Sequence, residues 1–311
     1  MKHRQEYVSA RHESVMGIRL LALDLDGTLL NSRGRISERN RSALERAREY
    51  GVRVALVTGR RFRDARPLAL ELGLDVPLIA HNGALTKHAQ TLETVAVWPL
   101  PLEAARNALQ VGRAAGADPL LSDDHEGLGV LVYDHLNGDN HAVQEYLAWA
   151  RRVHGVDGGD AVRQVPSLEE YLNHEPVHLA FSGGCVKMRE IENVLLRELG
   201  TSIKVFCTTY PTKDFALLDI VHPVASKGLG VAAAAAELGI LREEVMAIGD
   251  NLNDLEMLSY AGTGVVMGNA EPSLHKIERL HRTSTNDDDG VARAIERFIF
   301  GKETADLSLR Q

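Results

Sequence analysis

Two carboxylates, Asp24 and Asp26, flank Leu25 directly after the apolar run Ile18 to Leu23 and lead into Gly27 and Thr28. If that run is a strand, side-chain alternation lets both acids point the same way from its end. Like charges that close resist joint ionisation unless a cation or a shared proton intervenes. A hard divalent cation with oxygen ligands, most simply Mg2+, meets that need. Gly27 permits a tight turn, and Thr28 can bond back to the loop. Asp-Gly is also a common hairpin turn, so the segment by itself admits a purely structural reading as well.

Three further elements follow: Thr58-Gly59-Arg60, Lys227, and Gly249-Asp250-Asn251-Leu252-Asn253-Asp254. Taken singly, each could be a turn or a solvated helix start, because Asp, Asn and Gly dominate turns. Their weight comes from order and setting. The pattern predicts strands at Ile18 to Leu23, Val52 to Val57 and Val76 to Ala80. Between them it predicts helices at Ser37 to Tyr50, with Ser37 as N-cap and Gly51 as the stop, and at Arg61 to Leu72. Such alternation is the grammar of a parallel sheet, and right-handed crossovers bring its loops to one edge. Ligands in open α/β sheets bind beyond the carboxyl ends of the strands, where these motifs would lie.

After Gly83 the grammar changes. Thr86 to Val97 reads as a hairpin, with helices at Leu102 to Ala115, Ala142 to Arg152 and Lys187 to Leu199. Strands are predicted at Gly129 to Tyr133, Val177 to Phe181 and Ser202 to Thr208, and Gly155 to Asp160 reads as a loop. The parallel pattern resumes with a strand at Phe215 to Val221, a helix at Ser226 to Gly239 and a strand at Val245 to Ile248. A helix from Asn253 to Tyr260, a strand at Gly264 to Met267 and a helix at Val291 to Phe300 complete it. The expected class is α/β: a doubly wound, Rossmann-like parallel-sheet core of residues 17–84 and 213–311, with an α+β cap inserted at 85–212. Residues 1–16 are polar, lack the apolar core of a signal peptide and read as a disordered extension.

Composition narrows the function classes. With 25 % charged residues and a net charge of −8, the chain carries no electrostatic footprint for nucleic acid. No segment approaches the roughly 18 uninterrupted apolar residues of a membrane span, and the alanine-rich Val231 to Ala236 is far too short. Cys185 and Cys207 give neither a disulfide framework nor a zinc spacing, and a reducing cytoplasm is the expected location. Asp287-Asp288-Asp289 reads as a solvated loop, and His81 as a loop histidine beside the cleft.

With its four motifs in this order, three of them at predicted strand ends, the chain resembles the haloacid dehalogenase-like hydrolases, and specifically the Cof-like phosphatases. The resemblance spans nearly the whole chain from Ile18, includes the place and size of the cap, and implies hinges near Gly83 to Thr86 and Pro211 to Lys213. It implies Asp24 as the nucleophile that forms an aspartyl-phosphate, and Asp26 as general acid and then general base. It also implies Mg2+ held by Asp24, the Asp26 carbonyl and Asp250. Thr58, Gly59, Lys227, Asn253 and the Leu25 amide would bind phosphate, with Asp254 behind them holding Lys227 or a metal-bound water.

The implied activity is Mg2+-dependent hydrolysis of a small phosphomonoester, such as a sugar phosphate or similar phosphorylated metabolite. A phosphotransferase or phosphomutase shares the same motifs and differs in passing the phosphoryl group to a second hydroxyl. A catalytically silent binding module is disfavoured by the presence of both Asp24 and Asp26. One departure is Asp219, which stands where many members carry glutamate. The cap residues Asp123, Asp124, His125 and His135 match no known substrate class.

Overall fold

Every residue of strand β1 (Leu20–Asp24) is buried, as expected for a central parallel strand covered on both faces. In the computed structural model, which describes residues 17–136, 138, 140–154, 161–210 and 214–301, β1 opens an alternation of strands and helices. It continues through α1 (Glu38–Glu49), β2 (Arg53–Val57), α2 (Phe62–Glu71) and β3 (Pro77–Ala80). The Ser37 hydroxyl accepts the Asn40 N–H at 3.1 Å and so caps α1, and Gly51, at φ +82°, turns the chain out of it. A hairpin of β4 (Leu85–His88) and β5 (Thr94–Val97) follows.

The intervening module comprises α3 (Leu102–Ala114), β6 (Asp118–Asp123), β7 (Val130–Tyr133), α4 (His141–His154) and β8 (Val162–Gln164). It continues with α5 (Leu168–Tyr171), β9 (His178–Gly183), α6 (Cys185–Leu199), β10 (Lys204–Tyr210) and β11 (Phe215–Val221). The chain then returns through α7 (Lys227–Glu237), β12 (Val245–Gly249), α8 (Leu255–Tyr260), β13 (Thr263–Val266), β14 (His281–Arg282) and α9 (Gly290–Phe298).

Two sheets result. The first has eight strands in the order β14-β13-β12-β1-β2-β3-β4-β5, and the second has six in the order β10-β11-β9-β6-β7-β8. From β14 to β3 the first sheet is parallel, and the β4–β5 hairpin extends it antiparallel. The path from β1 runs outward to β2 and β3 and later returns to β12 on the opposite side of β1. That reversal is the switch point where α/β sheets open a crevice.

Small side chains set how closely α7 lies on this sheet. Ala22 pairs with Ala55 on one side and Ala247 on the other, and this row packs with Val231, Ala234 and Ala235 of α7. A Cβ on Gly230 would come within 2.4 Å of the Ile79 side chain, so the helix sits tight against β3. The alanine run is thus a close-packing face. Among the described residues no helix is long and apolar enough to cross a membrane.

Several elements differ from expectation. Leu85 to Val97 belongs to the first sheet, because Thr86 pairs with Ile79 of β3 and Ala96 of β5. Phe215 to Val221 is not a strand of the parallel sheet: it lies antiparallel between β10 and β9 in the second. Apart from Asp219 its two faces are both apolar, with Leu218 and Ile220 in one cluster and Leu217 against another, so its pattern states burial without naming a partner. Strand β6 has no counterpart in the sequence reading, its buried run being masked by Pro119 and terminal acids. The chain crosses between the sheets at 98–101 and 222–226, where Trp98 and His222 face each other with ring centroids 6.2 Å apart, and not at Gly83 to Thr86. The expected extension at 1–16, the loop Gly155 to Asp160 and the hinge at Pro211 to Lys213 lie outside the described residues.

Candidate active site

Strands β1, β2 and β12 lie side by side, so Asp24, Thr58 and Asp250 emerge at adjacent carboxyl ends. Lys227 joins them from the first position of α7, where the Ser226 hydroxyl caps the helix by accepting the Leu229 N–H at 3.1 Å. Its Nζ donates to Asp24 Oδ1 and to Asp254 Oδ1, each at 2.6 Å. The other oxygen of Asp254 accepts the amides of Asp250 and Asn251, both at 2.9 Å. Asp254 is therefore fully engaged in holding the lysine and the β12 loop.

Asp250 Oδ1 accepts the Thr28 hydroxyl at 2.8 Å, which ties the β12 loop to the β1 loop. Gly27 makes that approach possible. It sits at φ +84°, and a Cβ there would come within 2.4 Å of Asp250 Oδ2. Carboxylate oxygens of Asp24, Asp250 and Asp254 all lie within 4.8 Å of one another. Burial, reinforced by Asp254 and Asp250 and opposed by Lys227, pushes the Asp24 carboxyl well above its usual range. Burial and Asp254 push Asp250 up to about 6. Burial disfavours the Lys227 ammonium, but its two carboxylates outweigh it and hold the pKa above the ordinary value. Three carboxylates face one ammonium, and with Asp254 engaged the hard oxygen donors of Asp24 and Asp250 fit a divalent cation such as Mg2+.

Asp26 occupies a different environment. Strand β1 ends at Asp24, so alternation no longer governs the next acid, and its side chain is more than half exposed while that of Asp24 is buried. Arg60 grips the Asp26 carboxylate with two bonds, Nε to Oδ2 at 2.8 Å and Nη2 to Oδ1 at 2.5 Å. Leu25 between the acids is buried, and its carbonyl accepts the Leu30 N–H at 2.9 Å, closing the loop.

Thr58 is buried, and its hydroxyl oxygen accepts the Arg60 N–H at 3.1 Å, leaving its own proton to donate. Gly59 precedes the helix, since α2 begins at Phe62 with Arg61 as its cap residue. Asn253 lies on the turn after β12 and donates Nδ2–H to Asn82 Oδ1 at 2.9 Å. All nine residues singled out from the sequence thus border the β1, β2 and β12 ends. Sequence reasoning gave no role to Arg60, Asn82 or the partners of His81. An Asn-Gly pair one residue beyond a predicted strand was the available signal for Asn82. His81 is not an open-loop histidine: it is buried, with its Nδ1 2.7 Å from Nδ1 of His178.

Residues 21–295 match the family described as haloacid dehalogenase-like hydrolase. The 5-amino-6-(5-phospho-D-ribitylamino)uracil phosphatase YcsE of Bacillus subtilis (strain 168) is 31% identical, over 94% of this chain and 100% of its own. The pyridoxal phosphate phosphatase YbhA of Escherichia coli (strain K12) is 28% identical, over 92% of this chain and 98% of its own. Among solved structures, a haloacid dehalogenase-like hydrolase from Bacteroides thetaiotaomicron superposes with a TM-score of 0.74 at 32% identity, covering 90% of this chain and 99% of that one.

Proposed function

We propose, from the premise that the chain belongs to the haloacid dehalogenase-like hydrolases, that it is a Mg2+-dependent phosphatase of a small phosphorylated metabolite acting through an aspartyl-phosphate. The observation that carries this reading is the buried convergence of Asp24, Lys227, Asp250 and Asp254 at the ends of adjacent parallel strands. The names of the relatives, phosphatases of a ribitylaminouracil phosphate and of pyridoxal phosphate, support a phosphomonoester of metabolite size.

Asp24 attacks phosphorus: its carboxylate oxygen forms the new P–O bond as the bond to the leaving oxygen breaks. Asp26 donates a proton to that leaving oxygen. It then takes one from the water that attacks the aspartyl-phosphate, releasing inorganic phosphate and restoring Asp24. Lys227 offsets charge on Asp24 and on the transferring group, while Thr58, the Gly59 and Leu25 amides and Asn253 orient its oxygens. Asp24, the Asp26 carbonyl and Asp250 would hold the divalent cation, whose charge relieves repulsion between carboxylate and phosphate. The two cysteines are free thiols, in keeping with a cytoplasmic protein.

The test is hydrolysis of p-nitrophenyl phosphate by the purified chain. Turnover is expected to vanish on chelation, to return with Mg2+, and to be absent in Asp24→Asn with circular dichroism unchanged. Undiminished turnover in that variant would overturn the reading. A panel of phosphorylated metabolites then identifies the substrate.

A further inference from the structure

Asn82 stands where both sheets and the candidate phosphate site meet. It is 2% exposed and adopts left-handed backbone, at φ 54° and ψ 31°. Its main-chain N–H donates to the Thr58 carbonyl at 3.0 Å, which fastens it to the end of β2. Its carboxamide touches three elements. Oδ1 accepts from Asn253 Nδ2 at 2.9 Å, and Nδ2 reaches Asp219 Oδ2 of β11 at 3.4 Å. Gly59 packs on it so closely that a Cβ there would lie 3.1 Å from both terminal atoms.

Beyond Asp219 the contacts continue in one direction. The Phe62 N–H donates to His81 Nε2 at 3.1 Å, so His81 carries its proton on Nδ1. That proton goes to Nδ1 of His178 at 2.7 Å, leaving the His178 proton on Nε2, 3.6 Å from Asp219 Oδ1. Burial keeps both rings neutral. Asn82 and His178 therefore both aim donors at Asp219, and the amide orientation of Asn82 follows from that.

The orientation has a chemical consequence for Asn253. Among the described residues its amide has one hydrogen-bond partner, Asn82, and its Oδ1 has none. With Nδ2 held by Asn82, its second N–H is available to an anion. Turned over, the same side chain would present a carbonyl oxygen to phosphate and repel it. We propose that Asn82 is a positioning residue for phosphate binding, fixing the donor orientation of Asn253 while Asp219 of the second sheet fixes Asn82. This rests on Asn253 being a phosphate ligand, as in the proposed function.

A mutant cycle on the full-length chain with Mg2+ tests it, reading KM, kcat and competitive inhibition of p-nitrophenyl phosphate hydrolysis by inorganic phosphate. Asn82→Gly suits the left-handed backbone and removes the amide. Asn82→Gly and Asn253→Ala are each expected to weaken phosphate inhibition about tenfold, as for one hydrogen bond to a charged group. The double variant is expected to be no weaker than Asn253→Ala alone. Asp219→Asn, close to isosteric, replaces a carboxylate that only accepts once ionised with a group that also donates, and keeps the test open if Asn82→Gly fails to fold. Its effect is expected to be present in the parent and absent in the Asn253→Ala background, assayed above the value of about 7 to which burial raises the Asp219 carboxyl. Additive effects in both cycles would overturn the inference and leave the proposed phosphatase intact. Unchanged phosphate inhibition in Asn253→Ala would instead remove that residue from the phosphate site, and the inference with it.

Discussion

Lys227 Nζ lies 2.6 Å from Asp24 Oδ1, and both side chains are almost wholly removed from solvent. Removing one member of such a pair strands the other charge, which destabilises a fold by about 3–5 kcal/mol. Lys227→Met is therefore expected to unfold at lower urea than the parent and to lose about a hundredfold or more in turnover. Urea melts and kcat measured on the same preparation check both; a variant with parental stability and turnover would contradict the role given to this contact.

On the proposed mechanism, Asp26→Asn should separate the two chemical steps. The p-nitrophenolate group leaves without help from an acid, so Asp24 can still be phosphorylated, whereas hydrolysis of the aspartyl-phosphate loses its base. Pre-steady-state kinetics should show a burst of one equivalent of p-nitrophenol followed by turnover slowed roughly a hundred- to ten-thousandfold. Linear progress curves at the parental rate would exclude the assignment.

Gly27→Ala probes the contact between the first and last motifs. Its Cβ would intrude to 2.4 Å from Asp250 Oδ2, on backbone at φ +84°. The expected result is a higher Mg2+ concentration for half-maximal activity. In the parent, Mg2+ at a hundred times its Kd should stabilise the fold by about 2.7 kcal/mol, and thermal melts of the variant should show less. Equal Mg2+ titrations for the two proteins would count against Asp250 as a ligand.

Asp219 and His178 give the stability of the fold opposing pH slopes. Burial raises the Asp219 carboxyl from 3.8 to about 7, so the folded chain keeps a proton that the unfolded chain has released, and stability falls as pH rises through that window. Burial lowers His178 from 6.5 to about 3, so the unfolded chain binds a proton first, and stability falls as pH drops through that window. Asp219→Asn removes the first slope. Its melting temperature relative to the parent should climb from about pH 4 to about pH 7 and then level off, a gain of at most about 4 kcal/mol. A pH-independent difference would refute it.

Lys87 is fully buried, and its ammonium donates to the carbonyls of His125, Glu126 and Gly127, each at 2.7 Å. It thereby pins a loop of the second module, rich in acids and histidine, to the hairpin of the first sheet. Lys87→Met leaves three acceptors unpaired and should destabilise the fold by about 3 kcal/mol. Hydrogen exchange should rise at residues 124–128 in particular, and unchanged protection there would show that the lysine does not hold them.

The legible part of the site is the part written locally. Asp24, Thr58, Lys227 and Asp250 each sit at a strand end or helix start that its own neighbours announce, and the sheet brings those ends together as a matter of topology. Asn82, Asp219, His81 and His178 were not legible as a group, because their contacts join residues 171, 137 and 97 positions apart. Nothing near Asp219 in sequence states which side chain it will meet. The same limit applies to β11, whose apolar faces announced a buried strand but left the choice of sheet to tertiary packing. Asp26 differs for another reason: alternation holds only while the strand lasts, and β1 stops at Asp24.

Trp98 and His222, facing each other at 6.2 Å, make the whole segment between them a closed loop as seen from the first sheet. The entropy of closing a loop grows only with the logarithm of its length. This one also carries its own interior, built on Leu121, Phe181 and Leu218. For the strands that present Asp24 and Asp250, such an excursion is thermodynamically close to a short turn. A different module grafted between the same two ends would keep the strand ends of Asp24 and Asp250 together, but it would have to supply its own counterpart of Asp219 to Asn82. The second module is therefore exchangeable as a fold only where it preserves that contact.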